Sequence, residues 1–393
     1  MRNFLNKKVL QLKPSGIRKF FDLAAGRKDI ISLGVGEPDF DTPWEVREAG
    51  INALKKGLTQ YTSNQGLTEL RAEISRYLDE RFKVKFSAEQ TVITVGASEA
   101  IDVTLRAVVD DGDEVLIPDP IYVSYKPCVE LAGGVAVSVP CDGANGFKLT
   151  ADSLKSVITP KTKALIFPYP NNPTGGIMEE EYIKEIIPVI IEHDLLVISD
   201  EIYAELTYGG EHVSICAFPE LAGRTVLISG FSKAFAMTGW RIGFVCAPQE
   251  IAKALLKIHQ YTAICAPAFS QYAALTAMQG GREDGYFSVL QMRDEYDRRR
   301  RYMHKAFCEM GLNCFEPKGS FYIFPSVEKT GLSGEEFALR LLQEKKVAVV
   351  PGSAFGEFGK NYVRCSYAYS MSDLIKATRL IAEFVLDLQK NKR

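Results

Sequence analysis

Three segments of this 393-residue chain end apolar runs with side chains able to do chemistry. LLVISDE (195–201) closes on Asp200 and Glu201. A carboxylate at a buried strand end is either a charge reaching solvent or an acid with a cationic partner. TVLISGFSKAF (225–235) places Lys233 after a second such run, among small and apolar residues and eight positions before Arg241. A lysine there is most often a solvated surface residue. Desolvation would instead lower its pKa and make its amine nucleophilic towards a carbonyl, as in Schiff-base lysines. FPYPNNPTGG (167–176) sets Asn171 and Asn172 before Pro173. The Asn-Pro and Gly-Gly steps mark a turn, and the two amides add donors for a ligand oxygen.

Two nucleotide-binding readings fail on the same residues. An apolar strand ending in Asp resembles the magnesium-binding strand of P-loop ATPases, but the chain has no G-x-x-x-x-G-K-[ST] loop. Gly34-Val35-Gly36 is not a dinucleotide fingerprint, because Asp39 stands where the third glycine belongs.

The elements that must position these residues follow one rhythm from about 90 to 248. β-Branched runs recur at 91–96, 114–120, 135–140, 164–170, 195–201, 225–232 and 242–248, with helical patterns between several of them. This predicts a large α/β domain, a mainly parallel seven-stranded sheet covered by helices on both faces. Ligands of such sheets sit beyond the carboxyl ends of the strands, where Asn172, Asp200 and Lys233 fall. After Cys265 long helices take over, broken by strand-like stretches at 319–326 and 347–350. We therefore expect a large domain over 45–285 and a smaller α+β domain from 1–44 and 286–393.

The remaining composition excludes more than it suggests. The 47 basic and 49 acidic side chains give a net charge of -2, without the basic excess that phosphate-backbone binding draws on, so no nucleic-acid partner is expected. Eight scattered cysteines without a C-x-x-C pair read as reduced, mostly buried thiols. Four histidines without an H-E-x-x-H motif lend no support to a metal site. No apolar run is long enough to span a membrane. The first twenty residues are basic and lack acidic ones, as a transit peptide would be, yet they contain no signal-peptide core, so a cytoplasmic location is expected. In RDEYDRRRRYMHK, Asp294, Glu295 and Asp297 stand four positions before Arg298, Arg299 and Arg301, which predicts a self-compensated, solvated helix face.

Read in order, LGVGEPDFDTP (33–43), YTSNQGLTELR (61–71), VGASEAID (95–102), PNNPTG (170–175), SDEIYAELTY (199–208), SKAFAMTGWRIGF (232–244), VPGSAFG (350–356) and NYVRCSYA (361–368) resemble the class I/II aminotransferases, pyridoxal-phosphate (PLP) enzymes of fold type I. PSGIRKF (14–20), GFKLTA (146–151) and FYIFPS (321–326) are most similar to the branch of bacterial aspartate, aromatic and N-acetyl-diaminopimelate aminotransferases. The resemblance implies that Lys233 joins the PLP aldehyde covalently and later carries the proton between substrate and cofactor. It implies that Asp200 keeps the pyridine nitrogen protonated, and that Asn172 and Tyr203 bind the cofactor's 3′ oxygen. The phosphate would lie over Ala97 and Ser98 at a helix N-terminus, with a hydroxyl from Ser232 and a guanidinium from Arg241, and Tyr61 would reach in from the neighbouring subunit of a homodimer. Tyr122 would stack on the ring, Arg364 would bind the substrate α-carboxylate, and Gly36 would line the substrate pocket through its backbone. Arg18 is read as structural, and no motif places an arginine for a second substrate carboxylate.

The implied activity is transfer of an amino group from an L-amino acid to a 2-oxo acid, with 2-oxoglutarate the expected acceptor, in a ping-pong cycle (EC 2.6.1.-). A PLP-dependent C–S β-lyase is the alternative, because the fold holds the cofactor without deciding the fate of the carbanion. A non-catalytic regulator of the same fold would need an added DNA-binding module or a lost catalytic residue, and neither is seen.

Overall fold

The computed structural model describes residues 4–12, 16 and 29–390; Arg18 lies outside them. All seven predicted runs form strands of one sheet: β1 (Thr91–Thr94), β2 (Glu114–Asp119), β3 (Val135–Pro140), β4 (Thr162–Phe167), β5 (Leu196–Asp200), β6 (Thr225–Gly230) and β7 (Gly243–Cys246). Their order across the sheet is β1-β7-β6-β5-β4-β2-β3. Pairing is parallel except at β7, which runs antiparallel to β1 and β6. Several predicted runs overshoot their strand by two or more residues at the carboxyl end, and those residues are the turns that carry the site.

Side chains alternate between the two faces of a strand, and the sheet uses both. Ile198, Ile166, Val226 and Ile228 pack with Ala100, Ile101, Tyr125 and Leu255 from the helices on one side. Val197, Leu165 and Phe167 meet Ile183, Ile186 and Ile190 of the helix Glu180–Glu192 on the other. Leu227 and Phe244 extend that second face against Leu70, Ile74, Ala273 and Ala277. The expected two-sided cover is present.

A separate core holds the C-terminal part. Leu33, Met303, Phe337, Val347, Ile381 and Phe384 are buried together, so the segment near residue 33 packs with chain more than 250 positions later. Ile31–Ser32 pairs in parallel with Val347–Ala348. Tyr322–Ile323, Val363–Ser366 and Val350–Pro351 form a three-stranded antiparallel sheet with the second of them in the centre.

The arginine run departs from expectation. Arg298 and Arg301 are exposed and pair with Glu295 and Asp297, as a solvated face requires. Arg299 and Arg300, however, are only 6% and 7% exposed. Arg299 donates to both oxygens of Asp39 at 2.8 Å, and Arg300 donates to Glu316 Oε1 at 2.7 Å and to the Pro317 carbonyl at 2.9 Å. Asp294 pairs with Arg293, not Arg298. Half of the run is thus an inward clamp, which a helical pairing rule cannot distinguish from a surface face because it sees only partners on the same helix.

The eight cysteines are free thiols; Cys141, Cys246 and Cys365 are buried, Cys308 is exposed and the other four are partly covered. No helix among the described residues is long and apolar enough to cross a membrane.

Candidate active site

The carboxyl ends of the strands open on a cavity of about 570 Å³. It brings together Gly36, Ala97, Ser98, Tyr122, Asn172, Asp200, Tyr203, Ser232, Lys233, Arg241 and Arg364. Tyr61 does not line it and is 78% exposed.

Strand parity decides what Asp200 sees. It follows Ile198 on one face of β5 and meets Tyr125, whose hydroxyl donates to Oδ2 at 2.7 Å; the Ile202 N–H donates to Oδ1 at 3.1 Å. Glu201 falls on the opposite side, where Ser199, Ser214 and His212 bond its carboxylate. The adjacent acids therefore have different tasks: Glu201 is enclosed by its own partners, whereas Asp200 lines the cavity. Burial pushes the Asp200 pKa up to about 6, against the hydrogen bonds of Tyr125 and Ile202.

Lys233 lies in the turn after β6 and donates to the Gly36 carbonyl at 2.7 Å. Burial lowers its pKa to about 8, and Arg364 and Arg241 push the same way, while Glu37 and Asp200 oppose them. The direction is the one that helps an amine attack a carbonyl, because only the neutral form is nucleophilic. The solvated-surface reading does not hold, because Lys233 lines the cavity and is tied to the Gly36 carbonyl.

The helix Gly96–Val108 begins at the end of β1, and no side chain caps its first turn. Gly96 has φ +75°, and a Cβ there would meet Arg241 Nη2 at 2.6 Å. The bare backbone lets the Arg241 guanidinium lie against the start of the helix. Unclaimed amides, the positive end of the helix and an arginine make an anion site; the Ser232 side chain also lines the cavity.

Arg364 comes from Val363–Ser366 and is 3% exposed. Its Nη1 donates to Asn172 Oδ1 at 2.9 Å and its Nη2 to the Gly34 carbonyl at 2.6 Å. Its plane is flanked by the rings of Tyr322 and Phe355, at 4.3 and 4.8 Å from the guanidinium carbon. Nε is buried without a partner, an orphan donor suited to a carboxylate oxygen. The oxygen of Asn172 is taken by Arg364, so its NH₂ is the group left for a ligand.

Sequence reasoning missed Tyr125 and Tyr322. Tyr125 stands three residues after Tyr122, and its ring meets Tyr122 edge to face at 5.8 Å; a phenol on an apolar helix face was the available signal. The Tyr322 hydroxyl lies 3.2 Å from that of Tyr203 and abuts Gly36, where a Cβ would collide with it. Tyr322 lies in a two-residue strand, too short for its period to reveal which side faces the cavity. Among the described residues, no group of three or more His, Cys, Asp and Glu side chains is placed to hold a metal ion.

The cavity therefore offers an anion site, a buried carboxylate, an amine of lowered pKa and an arginine with an orphan donor. PLP presents a phosphate, a basic ring nitrogen and an aldehyde to the first three, so the residues present fit it. The comparisons with known proteins agree. The family model for aminotransferase class I and II matches residues 28–381. The putative aminotransferase YugH of Bacillus subtilis strain 168 is 51% identical, over 98% of this chain and 99% of its own. An aspartate aminotransferase of Pyrococcus abyssi is 48% identical, over 93% of this chain and 94% of its own. The crystal structure of an aromatic aminotransferase from Pyrococcus horikoshii OT3 superposes with a TM-score of 0.90 at 44% identity, covering 95% of this chain and 99% of that one. With sequence, sheet and cavity in agreement, the chain belongs to the class I and II aminotransferases, PLP-dependent enzymes of fold type I that transfer amino groups.

Proposed function

We propose that this aminotransferase moves the amino group of an L-amino acid to 2-oxoglutarate in a ping-pong cycle, with both half-reactions in the cavity described above. The observation that carries the proposal is that Lys233, Asp200 and Arg364 converge on one cavity at the carboxyl ends of the sheet strands. When bound, PLP supplies an electrophilic aldehyde and an electron-accepting ring, and it holds the amino group between the half-reactions.

Lys233 would hold the cofactor at its aldehyde carbon, and its amine would carry the proton of the substrate Cα. Asp200 holds a proton on the ring nitrogen. Ala97, Ser98, Ser232 and Arg241 bind the phosphate. Asn172 and Tyr203 bind the 3′ oxygen, and Tyr122 covers one ring face. Arg364 grips the α-carboxylate through Nε and an adjacent Nη, a two-point contact that orients Cα towards Lys233. Gly36 leaves room beside Tyr322 for the substrate.

Tyr61 reaches the phosphate of the neighbouring subunit in a homodimer. Exposed Trp44, Ile51, Leu54 and Tyr61 in one stretch of chain support such an interface. The domains divide as 45–285 against 1–44 with 286–393, a division supported by the separate core around Leu33 and Phe384. The enzyme works in the cytoplasm, in amino-acid biosynthesis.

The test is a donor panel of aspartate, alanine, aromatic amino acids and N-acetyl-diaminopimelate with 2-oxoglutarate, followed by glutamate formation. At least one donor is expected to turn over many times. Pyruvate and sulfide from cystathionine, without glutamate from any donor, would instead establish the C–S lyase.

A further inference from the structure

Asp200 faces a conflict. To hold a proton on a ring nitrogen it must be ionised, yet it is only 5% exposed. Burial of a carboxylate without compensating donors favours the neutral acid. Two charges bear on it. Glu201, adjacent in sequence and tied to His212 on the other face, disfavours ionisation; Lys233 across the cavity favours it more weakly than the hydrogen bonds do. The donors are one backbone N–H, that of Ile202, and one side chain, the Tyr125 hydroxyl at 2.7 Å.

Tyr125 is well placed to be a fixed donor. It is the first residue of the helix Tyr125–Ala132, 4% exposed, and packed with Ile198, which precedes Asp200 on the same face of β5. Burial and the nearby carboxylate push its own pKa well up, so its proton stays on the phenol throughout the working range. Its ring is also braced edge to face by Tyr122.

We infer that Tyr125 is a positioning residue whose hydroxyl keeps the Asp200 carboxylate ionised and oriented, and thereby sets the acid limit of cofactor retention. The inference rests on the reading of Asp200 as the partner of the ring nitrogen. Tyr125 lines the cavity with its hydroxyl committed to Asp200, and the role assigned to it runs through that carboxylate.

The sign follows from the geometry. Removing a donor to the charged form raises the pKa of the acid. A hydrogen bond to a buried charge is strong enough to move it by about one to two pH units. The PLP dissociation constant, measured by equilibrium dialysis between pH 5 and 9, should bend near pH 6 in the wild-type protein. The component due to Asp200 is the one missing from Asp200→Asn. In Tyr125→Phe that bend should move up by about one to two pH units, with roughly tenfold or greater loss of affinity confined to the acid side. Affinity at pH 9 should stay within a few-fold of wild type.

A melting temperature of the apoprotein separates packing from charge control. Tyr125→Phe with a lowered melting temperature and an unmoved bend would overturn the inference, since a merely structural tyrosine gives that result. A uniform loss of affinity at every pH would overturn it as well. If Asp200→Asn itself bound PLP with wild-type affinity and pH profile, the fault would lie with the assignment of Asp200, and the inference would fall with it.

Discussion

The two walls of the cavity are built in opposite ways. The cofactor wall is made of consecutive strand ends of one sheet: Ala97 and Ser98 after β1, Asn172 after β4, Asp200 at the end of β5, Ser232 and Lys233 after β6. The carboxylate wall is assembled from Gly34, Gly36, Tyr322, Phe355 and Arg364, pieces spread over 330 positions of chain and brought together by the short strands Tyr322–Ile323 and Val363–Ser366. The first wall inherits its precision from sheet hydrogen bonds, because each residue ends or closely follows a strand that its neighbours in the sheet hold in place. The second depends on long-range packing around one guanidinium, stacked between two rings and bonded to Asn172 of the first wall. The proposed roles assign chemistry to the first wall and recognition to the second, which touches the first through Asn172.

If that division is right, damage to the first wall should strike kcat, and damage to the second should strike KM. The largest effect is expected for Lys233→Ala: a fall in turnover of at least about 10⁴-fold, since both the covalent anchor and the proton carrier are lost. Normal multiple-turnover transamination by that variant would end the assignment. Asp200→Ala should lower kcat by roughly 10²- to 10³-fold and weaken PLP binding, because charge developing in the ring loses its fixed partner. Steady-state rates at saturating PLP separate the two effects.

Arg364→Ala should raise the donor KM by about 10- to 100-fold with a smaller change in kcat, and Arg364→Lys by less, since a point charge cannot make the two-point contact. An unchanged KM in Arg364→Ala would break the comparison. A pH measurement sharpens it further. The rate at which apoprotein condenses with PLP should rise with pH and level off near 8, not near the ordinary lysine value of 10.5. Arg364→Ala removes a cation that disfavours the ammonium, so the plateau should shift to higher pH. At the small end, Arg298→Ala, on the exposed half of the arginine run, should leave both constants within about twofold and stability within about 0.5 kcal/mol.

Much of the first wall was readable from residue order because local rules govern it. β-Branched runs predict the strands, ligands gather at their carboxyl ends, and alternation along β5 sends Asp200 and Glu201 to opposite sides. Tyr125 escaped because its value lies in one hydrogen bond to a residue 75 positions away. Arg299 and Arg300 escaped for the same reason, being held by Asp39, Glu316 and Pro317 outside their own helix. Arg364 was legible only through the family resemblance.

By itself the sequence determined the seven-stranded sheet, the chemical types at its strand ends and, through the order of its motifs, the family. Tertiary structure decided which of those groups are buried and which are already satisfied. Lys233 and Asp200 owe their shifted pKa values to burial, and Arg364 owes its orphan Nε to the rings and the carbonyl that enclose it. Burial and long-range contact are properties of the packed chain, and no local pattern of residues encodes them.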